Sequence, residues 1–176
     1  IQTAWQKVLQ RGVHFVAIAG EAGIGKTRLT EEARHWVAQQ GYTSVYARSY
    51  AAEGALAYSP VIDWLRSDGI KPILQHLEAV WLQEVARLLP ELLTQYPHLS
   101  TPTPINDGTQ RRRFFEALAR AICLTEKPRL LVMDDLHWCD HETLEWLRFL
   151  LRFDPKQPLL IIGTYRAEEV DRNHPL

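Results

Sequence analysis

Apolar residues along the chain follow two patterns: short unbroken runs, which are typical of buried strands, and longer stripes with helical spacing. The unbroken runs predict strands at 13–19, 43–47, 129–133 and 159–163. The helical stripes predict helices at about 1–10, 26–40, 110–125 and after Asp140. Buried strands that alternate with helices are typical of a parallel sheet covered on both faces. We therefore predict an α/β fold, with the first strand in a central position because its run is apolar.

The alternation of strands and helices is interrupted between the second and third predicted strands. Pro60 opens one helix, and a longer helical stripe from Ile73 to Leu88 ends before Pro90. The prolines after it and the sequence Asn106-Asp107-Gly108 predict an exposed loop. We interpret the stretch from about 50 to 128 as a helical insertion on the α/β core.

Composition agrees with one ordered domain over residues 1–176, since 46% of the residues are hydrophobic and 23% are charged. The formal net charge of −1 gives no bias toward nucleic acid or an anionic membrane, so we expect direct contact with neither. Two cysteines, Cys123 and Cys139, provide no disulfide framework, which suits a cytoplasmic protein. Helical spacing begins at the first residues without a capping residue, so we expect a fragment of a longer chain.

The stretch from Gly20 to Thr27, directly after the first predicted strand, has the spacing G-x-x-x-x-G-K-T of a phosphate-binding loop. Its glycines allow tight turns that let successive backbone N–H groups face one anion, and the next helix adds its positive dipole end. Lys26 would reach the β- and γ-phosphates, and the Thr27 hydroxyl would help to hold Mg²⁺. A glycine-rich turn without a ligand is the alternative. The predicted nucleotide contacts are Gly20, Glu21, Ala22, Gly23, Ile24, Gly25, Lys26, Thr27 and Arg28.

Two carboxylates, Asp134 and Asp135, end the third predicted strand. The carboxyl ends of parallel strands meet at one rim of the sheet, where the loop also lies. Asp134 would hold Mg²⁺ through water, and Asp135 would orient or deprotonate the attacking water. The alternative is a strand-end turn without a ligand.

Thr164 and Arg166 follow the fourth predicted strand and reach the same rim. There they would sense the γ-phosphate by a hydrogen bond or a charge-assisted contact, and Arg166 would stabilise charge during hydrolysis. A solvated strand end is the alternative. The sequence from His137 to His141 contains possible metal ligands, but Asp140 has the position of a helix cap, which favours structural packing.

These segments resemble the signal-transduction ATPases with numerous domains (STAND), within the AAA-like P-loop ATPases. The resemblance is carried by the segments Gly20–Leu29, Leu130–Asp140 and Ile162–Arg166. The sequence Asp-Asp-Leu-His-Trp followed by Asp140 is more specific than the phosphate loop alone. It is similar to the ATPase modules of MalT- and LuxR-like and SARP-like bacterial regulators, of some kinase fusions and of soluble adenylyl cyclases.

The resemblance implies a three-layer αβα P-loop fold of the AAA-like (ASCE) type with strand order 5-1-4-3-2. It implies ATP or ADP with Mg²⁺ as ligands, other domains of the same chain as partners, and self-association through ATPase domains. Four of the five strands are evident in the sequence. The fifth strand and a winged-helix part would follow Leu176, and a segment that commonly contacts adenine would precede Ile1.

The leading functional hypothesis is a nucleotide switch that binds ATP and Mg²⁺ and hydrolyses ATP slowly, with Lys26, Asp135 and Arg166 as the catalytic residues. The alternative is a non-catalytic scaffold that binds ADP or ATP, because such a scaffold would use the same binding residues. A GTPase is less favoured because the sequence has no Asn-Lys-x-Asp or Thr-Lys-x-Asp guanine-reading motif. A small-molecule kinase is less favoured because the proline-rich loop at 97–108 has no arginine.

Overall fold

A computed structural model describes residues 1–51 and 56–170 of the chain. Residues 52–55 of the predicted insertion and the closing segment 171–176 lie outside the described residues. The described helices are α1 Gln2–Leu9, α2 Lys26–Gln39, α3 Ser59–Arg66, α4 Ala79–Val85, α5 Glu91–Gln95, α6 Gly108–Ile122 and α7 His141–Phe153. The described strands are β1 Val13–Ala19, β2 Thr43–Arg48, β3 Arg129–Asp134 and β4 Leu159–Tyr165. Short 3₁₀ turns cover Lys71–His76, Leu136–Trp138 and Ala167–Glu169.

The four strands form one parallel sheet with the order β1-β4-β3-β2. This confirms the α/β prediction, and the four strands follow the order that the resemblance implies. The expectation of a central β1 is wrong for the described sheet, because β1 pairs with β4 and no other described strand. The exposed residues of β1, namely Phe15, Ala17 and Ala19, share one face of the strand, whereas every residue of β3 is buried.

The chain divides into two compact units. One contains residues up to Trp64 and from Glu126 onward, and the other contains Leu65–Thr125. The first unit carries the sheet and all the predicted site residues. The second carries α4, α5 and α6.

Helices cover both faces of the sheet in the first unit because the connections run in opposite directions. The connection from β1 through α2 to β2 runs toward the β2 edge of the sheet. The connection from β3 through α7 to β4 runs in the opposite direction, toward β1. Right-handed crossovers then place α2 and α7 on opposite faces, which gives the predicted three layers. On the α2 face, eight side chains form a buried core: Trp5, Val8, Ala33, Val37, Leu130, Val132, Leu160 and Ile162. Burial of a valine- or leucine-sized side chain contributes about 1.5–3 kcal/mol.

The helical stripe predicted from Ile73 to Leu88 is not one helix. A 3₁₀ turn ends at His76, and α4 begins only at Ala79, because Leu77 and Glu78 have extended backbone angles (ψ of 137° and 142°). No glycine or proline stands at the break. Apolar spacing alone therefore did not reveal it.

Asp140 caps α7, as predicted, and fixes the segment that follows β3. Its carboxylate accepts hydrogen bonds from the Thr143 backbone N–H (2.8 Å) and hydroxyl (2.6 Å), and from the Tyr58 backbone N–H (3.2 Å). These contacts satisfy orphan donors at the start of the helix and support structural packing of 137–141.

Candidate functional site

The phosphate loop, defined as Gly20–Thr27, turns directly from β1 into α2. Gly23 and Gly25 have φ angles of 77° and 101°, which L side chains rarely adopt. Helix α2 begins at Lys26, and its N-cap Gly25 has no side chain that could accept from the first-turn N–H groups. The loop thus presents uncapped amides at the positive end of a 14-residue helix, which suits an anion.

The ammonium group of Lys26 lies over the same loop. It donates to the backbone carbonyls of Gly20 (2.7 Å) and Glu21 (2.8 Å), and the residue is only 9% exposed. An ammonium has three N–H donors, so these contacts leave one for a phosphate oxygen. The other predicted loop contacts, namely Ala22, Ile24 and Arg28, are exposed at the surface.

The carboxylate of Asp134 joins the loop to the ends of two strands. It is fully buried and accepts from the hydroxyls of Thr27 (2.8 Å) and Tyr46 (3.1 Å), and from the Thr164 hydroxyl through a short hydrogen bond. The Thr27 contact spans 107 positions of sequence and places the two predicted metal-binding groups side by side. Because β4 lies between β1 and β3, Thr164 completes the group from the intervening strand.

The donor set around Asp134 fits Mg²⁺. Hydroxyl and carboxylate oxygens are ligands that Mg²⁺ prefers. The Thr27 Oγ1 and Asp134 Oδ2 atoms lie 2.8 Å apart. Thr27 and Asp134 are therefore the residues that would hold the ion.

Tyr46 is a site residue that the sequence did not reveal. It lies on β2, where Tyr46 pairs with Val132 and Arg48 with Asp134. Burial and the adjacent Asp134 carboxylate raise the pKa of the Tyr46 phenol above its usual value, so the hydroxyl stays protonated and donates to Asp134. The Arg34 guanidinium lies over the Tyr46 ring at 5.1 Å from its centroid.

Removing the Tyr46 hydroxyl should weaken Mg²⁺ binding. In Tyr46→Phe, we expect the Mg²⁺ concentration for half-maximal ATP binding to rise about tenfold, because groups that orient a metal ligand affect metal affinity on this scale. Tyr42→Phe is the control, since the half-buried Tyr42 makes an edge-to-face contact with the buried Trp5. An unchanged Mg²⁺ midpoint in Tyr46→Phe, measured by calorimetry, would show that Tyr46 does not position Asp134.

Asp135 is held in a different manner from Asp134. It has a left-handed backbone (φ 58°), and its N–H donates to the Thr164 hydroxyl at 3.0 Å. The guanidinium of Arg48 places Nε at 2.9 Å and a terminal nitrogen at 2.8 Å from Asp135 Oδ2. The hydrogen bond to Asp135 raises the pKa of Arg48 above its usual value. Both contacts fall on one oxygen, and Arg48 is the second site residue that the sequence did not reveal.

The structure places Arg166 next to a carboxylate. Its guanidinium donates to Glu169 Oε1 at 2.5 Å and lies over the Trp138 ring at 5.0 Å from the centroid. Thr164, expected just beyond the strand, lies within β4. Lys26, Thr27, Asp134, Asp135 and Thr164 are thus brought together, while Arg166 borders them.

Comparison with protein-family models shows which family this chain matches. A family model described as an AAA ATPase domain matches residues 1–162. The chain belongs to the AAA ATPase domain family. This AAA ATPase domain is therefore of a nucleotide-binding type, as the sequence predicted, whereas the roles of its individual residues remain predictions.

The AAA ATPase domain is also similar to a solved structure, that of Cdc6p from Pyrobaculum aerophilum. The two are 15% identical, with a TM-score of 0.45, over 99% of this chain and 42% of that chain. The chain therefore spans less than half the length of that protein. No curated protein matches the chain. Among the helices of the described residues, none has the length and apolarity needed to cross a bilayer.

Proposed function

We propose that this AAA ATPase domain binds ATP with Mg²⁺ at the phosphate loop and hydrolyses it slowly. The hydrogen bond from Thr27 to Asp134 carries this proposal, because it joins the loop and the acidic strand end at one rim of the sheet. Family membership supports ATP as the nucleotide.

Different residues of the site would bind the nucleotide and take part in its hydrolysis. When bound, Mg²⁺ would neutralise charge on the β- and γ-phosphates. Loop amides and Lys26 would hold the phosphates, while Thr27 and Asp134 would hold the ion. Asp135 would orient or deprotonate the attacking water, and Thr164 would fix both aspartates through its hydroxyl. Arg166 would sense the γ-phosphate and stabilise its charge.

A second candidate function is nucleotide binding without turnover. It is favoured by the ion pair between Arg48 and Asp135, because two guanidinium N–H groups occupy Asp135 Oδ2 and leave that oxygen less free to accept from a water. Such a domain would bind ATP or ADP as a structural ligand. Phosphate release distinguishes the two functions.

We further propose that the nucleotide state acts as a switch in a multidomain signalling or transcriptional regulator. The support is the resemblance of Asp134-Asp135-Leu136-His137-Trp138 and Asp140 to STAND modules. Other domains of the parent chain, or a second ATPase domain, would read the state. Differential contacts in the ATP and ADP forms would bias their arrangement.

Calorimetric titration tests the proposed binding. We expect the domain to bind ATP in the presence of Mg²⁺, with affinity falling about tenfold or more in EDTA because the phosphate charge is then not neutralised. GTP and ADP titrated in parallel measure base and phosphate discrimination. If the folded domain binds no nucleotide, the proposed function is wrong.

A further inference from the structure

A cluster of four side chains borders the nucleotide site, and its centre is Glu169. The Glu169 cluster consists of His137, Trp138, Arg166 and Glu169. Besides the Arg166 guanidinium on Oε1, the Glu169 carboxylate accepts from the Trp138 indole N–H at 3.0 Å, and His137 Nε2 lies 3.3 Å away. One carboxylate at the end of the Ala167–Glu169 turn therefore contacts three residues of the site's border.

The charge in this cluster lies mainly on Arg166 and Glu169. The Arg166 backbone N–H donates to His137 Nδ1 at 3.4 Å, so the ring carries its proton on Nε2, facing Glu169. Burial lowers the pKa of His137, which keeps the ring neutral near pH 7. The contact from Nε2 to Glu169 is electrostatic and not an aligned hydrogen bond. Arg166 thus supplies the full positive charge that the Glu169 carboxylate faces.

The Glu169 cluster lies close to the phosphate loop and to Asp135. His137 lies two residues after Asp135 in the chain, and the charges of Asp135 and Lys26 are near enough to act on its ring. Thr164, whose hydroxyl contacts Asp134, lies two residues before Arg166 in the chain. The Arg166 guanidinium therefore lies at the same rim of the sheet as the phosphate loop, where a triphosphate would bind.

We propose that Glu169 competes with the γ-phosphate of ATP for Arg166 and so lowers the affinity for ATP relative to ADP. This inference rests on the proposed function. The side chains of Arg166 and Glu169 are 28% and 33% exposed, and ion pairs of that exposure are weak enough to be exchanged. Arg166 contacts one oxygen of Glu169, whereas a terminal phosphate can accept two parallel hydrogen bonds from a guanidinium and carries more charge than a carboxylate.

The two nucleotides then differ in their effect on the cluster. ADP has no γ-phosphate, so the pair of Arg166 and Glu169 persists when ADP is bound. ATP draws Arg166 away, and Glu169 keeps only its contacts with Trp138 and His137. Glu169 is therefore a residue that sets the preference between the two nucleotides.

The test uses Glu169→Gln, which removes the charge and keeps a carbonyl acceptor for the Trp138 indole. The dissociation constants of a non-hydrolysable ATP analogue and of ADP are measured by calorimetry with Mg²⁺. We expect the constant for the analogue to fall about fivefold, as for removal of one exposed ion pair, and the constant for ADP to change less than about twofold. Glu168→Gln, an exposed glutamate in the same turn, should change neither.

A double variant separates competition from a change in fold. Arg166→Ala should weaken binding of the analogue, and adding Glu169→Gln to it should have no further effect. Equal changes for the analogue and ADP, or no change for either, overturn the inference while leaving the proposed function intact. A wild-type domain that binds neither nucleotide overturns both.

Discussion

Replacing Lys26 with methionine should lower the affinity for ATP about 100-fold or more, since a charged partner of a desolvated anion is removed. The side chain of methionine is similar in length but has no charge and no N–H donor. Among the described residues, the Lys26 ammonium donates to the carbonyls of the half-buried Gly20 and the exposed Glu21, which water can hydrate. We therefore expect the melting temperature without nucleotide to change little. Calorimetry with ATP and Mg²⁺ provides the affinity.

The matched control for this variant is Lys7→Met. Lys7 is exposed on α1 and belongs to the same unit as the site. We expect its affinity for ATP to equal that of the unchanged protein. If the dissociation constant of Lys26→Met for ATP were within about threefold of that of the unchanged protein, the Lys26 ammonium would not be a ligand of the phosphates.

Replacing Asp135 with asparagine should slow ATP hydrolysis strongly and leave ATP binding almost unchanged. A positioned general base contributes about 10²- to 10⁴-fold to a rate, so we expect phosphate release in a single turnover to slow about 100-fold or more. The affinity for ATP should change less than about threefold, because Thr27 and Asp134, not Asp135, are the proposed ligands of the ion. Arg48 loses its ionic partner in this variant but is 39% exposed at the side chain and can be hydrated.

The control for Asp135→Asn is Asp68→Asn, an exposed aspartate in the other unit. It should release phosphate at the unchanged rate. An unchanged rate in Asp135→Asn itself would remove Asp135 from the mechanism. No phosphate release from the unchanged protein, with ATP bound, would instead support the non-catalytic candidate function.

The parts of the site that could be predicted are those written in short stretches of sequence. The loop is a local motif whose glycines, lysine and threonine are needed at fixed spacing, so Gly20–Thr27 could be recognised without a structure. Asp134 ends a strand that is buried throughout, and parallel topology then brings that end to the rim. Asp140 has the sequence position of a cap and caps α7.

The parts that could not be predicted depend on strand neighbours and register. Tyr46 and Arg48 contact the aspartates only because β2 pairs with β3 in a register that sets Arg48 opposite Asp134. Strand order among β1, β4 and β3 is equally non-local: the family resemblance implied it, whereas the apolar run of β1 did not reveal that β4 is its one partner among the described strands. Glu169 was missed because its contacts depend on the turn that follows β4, which carries no motif.

The most direct test of a shared magnesium site is a crystal structure of the domain with a non-hydrolysable ATP analogue and Mg²⁺. We expect the β- and γ-phosphates on the amides of Gly20–Thr27, with the Lys26 ammonium on phosphate oxygens. The Mg²⁺ ion should be bonded to the Thr27 hydroxyl and lie within reach of Asp134, directly or through one water. An analogue bound elsewhere, or an ion that contacts neither Thr27 nor Asp134, would contradict the proposed site.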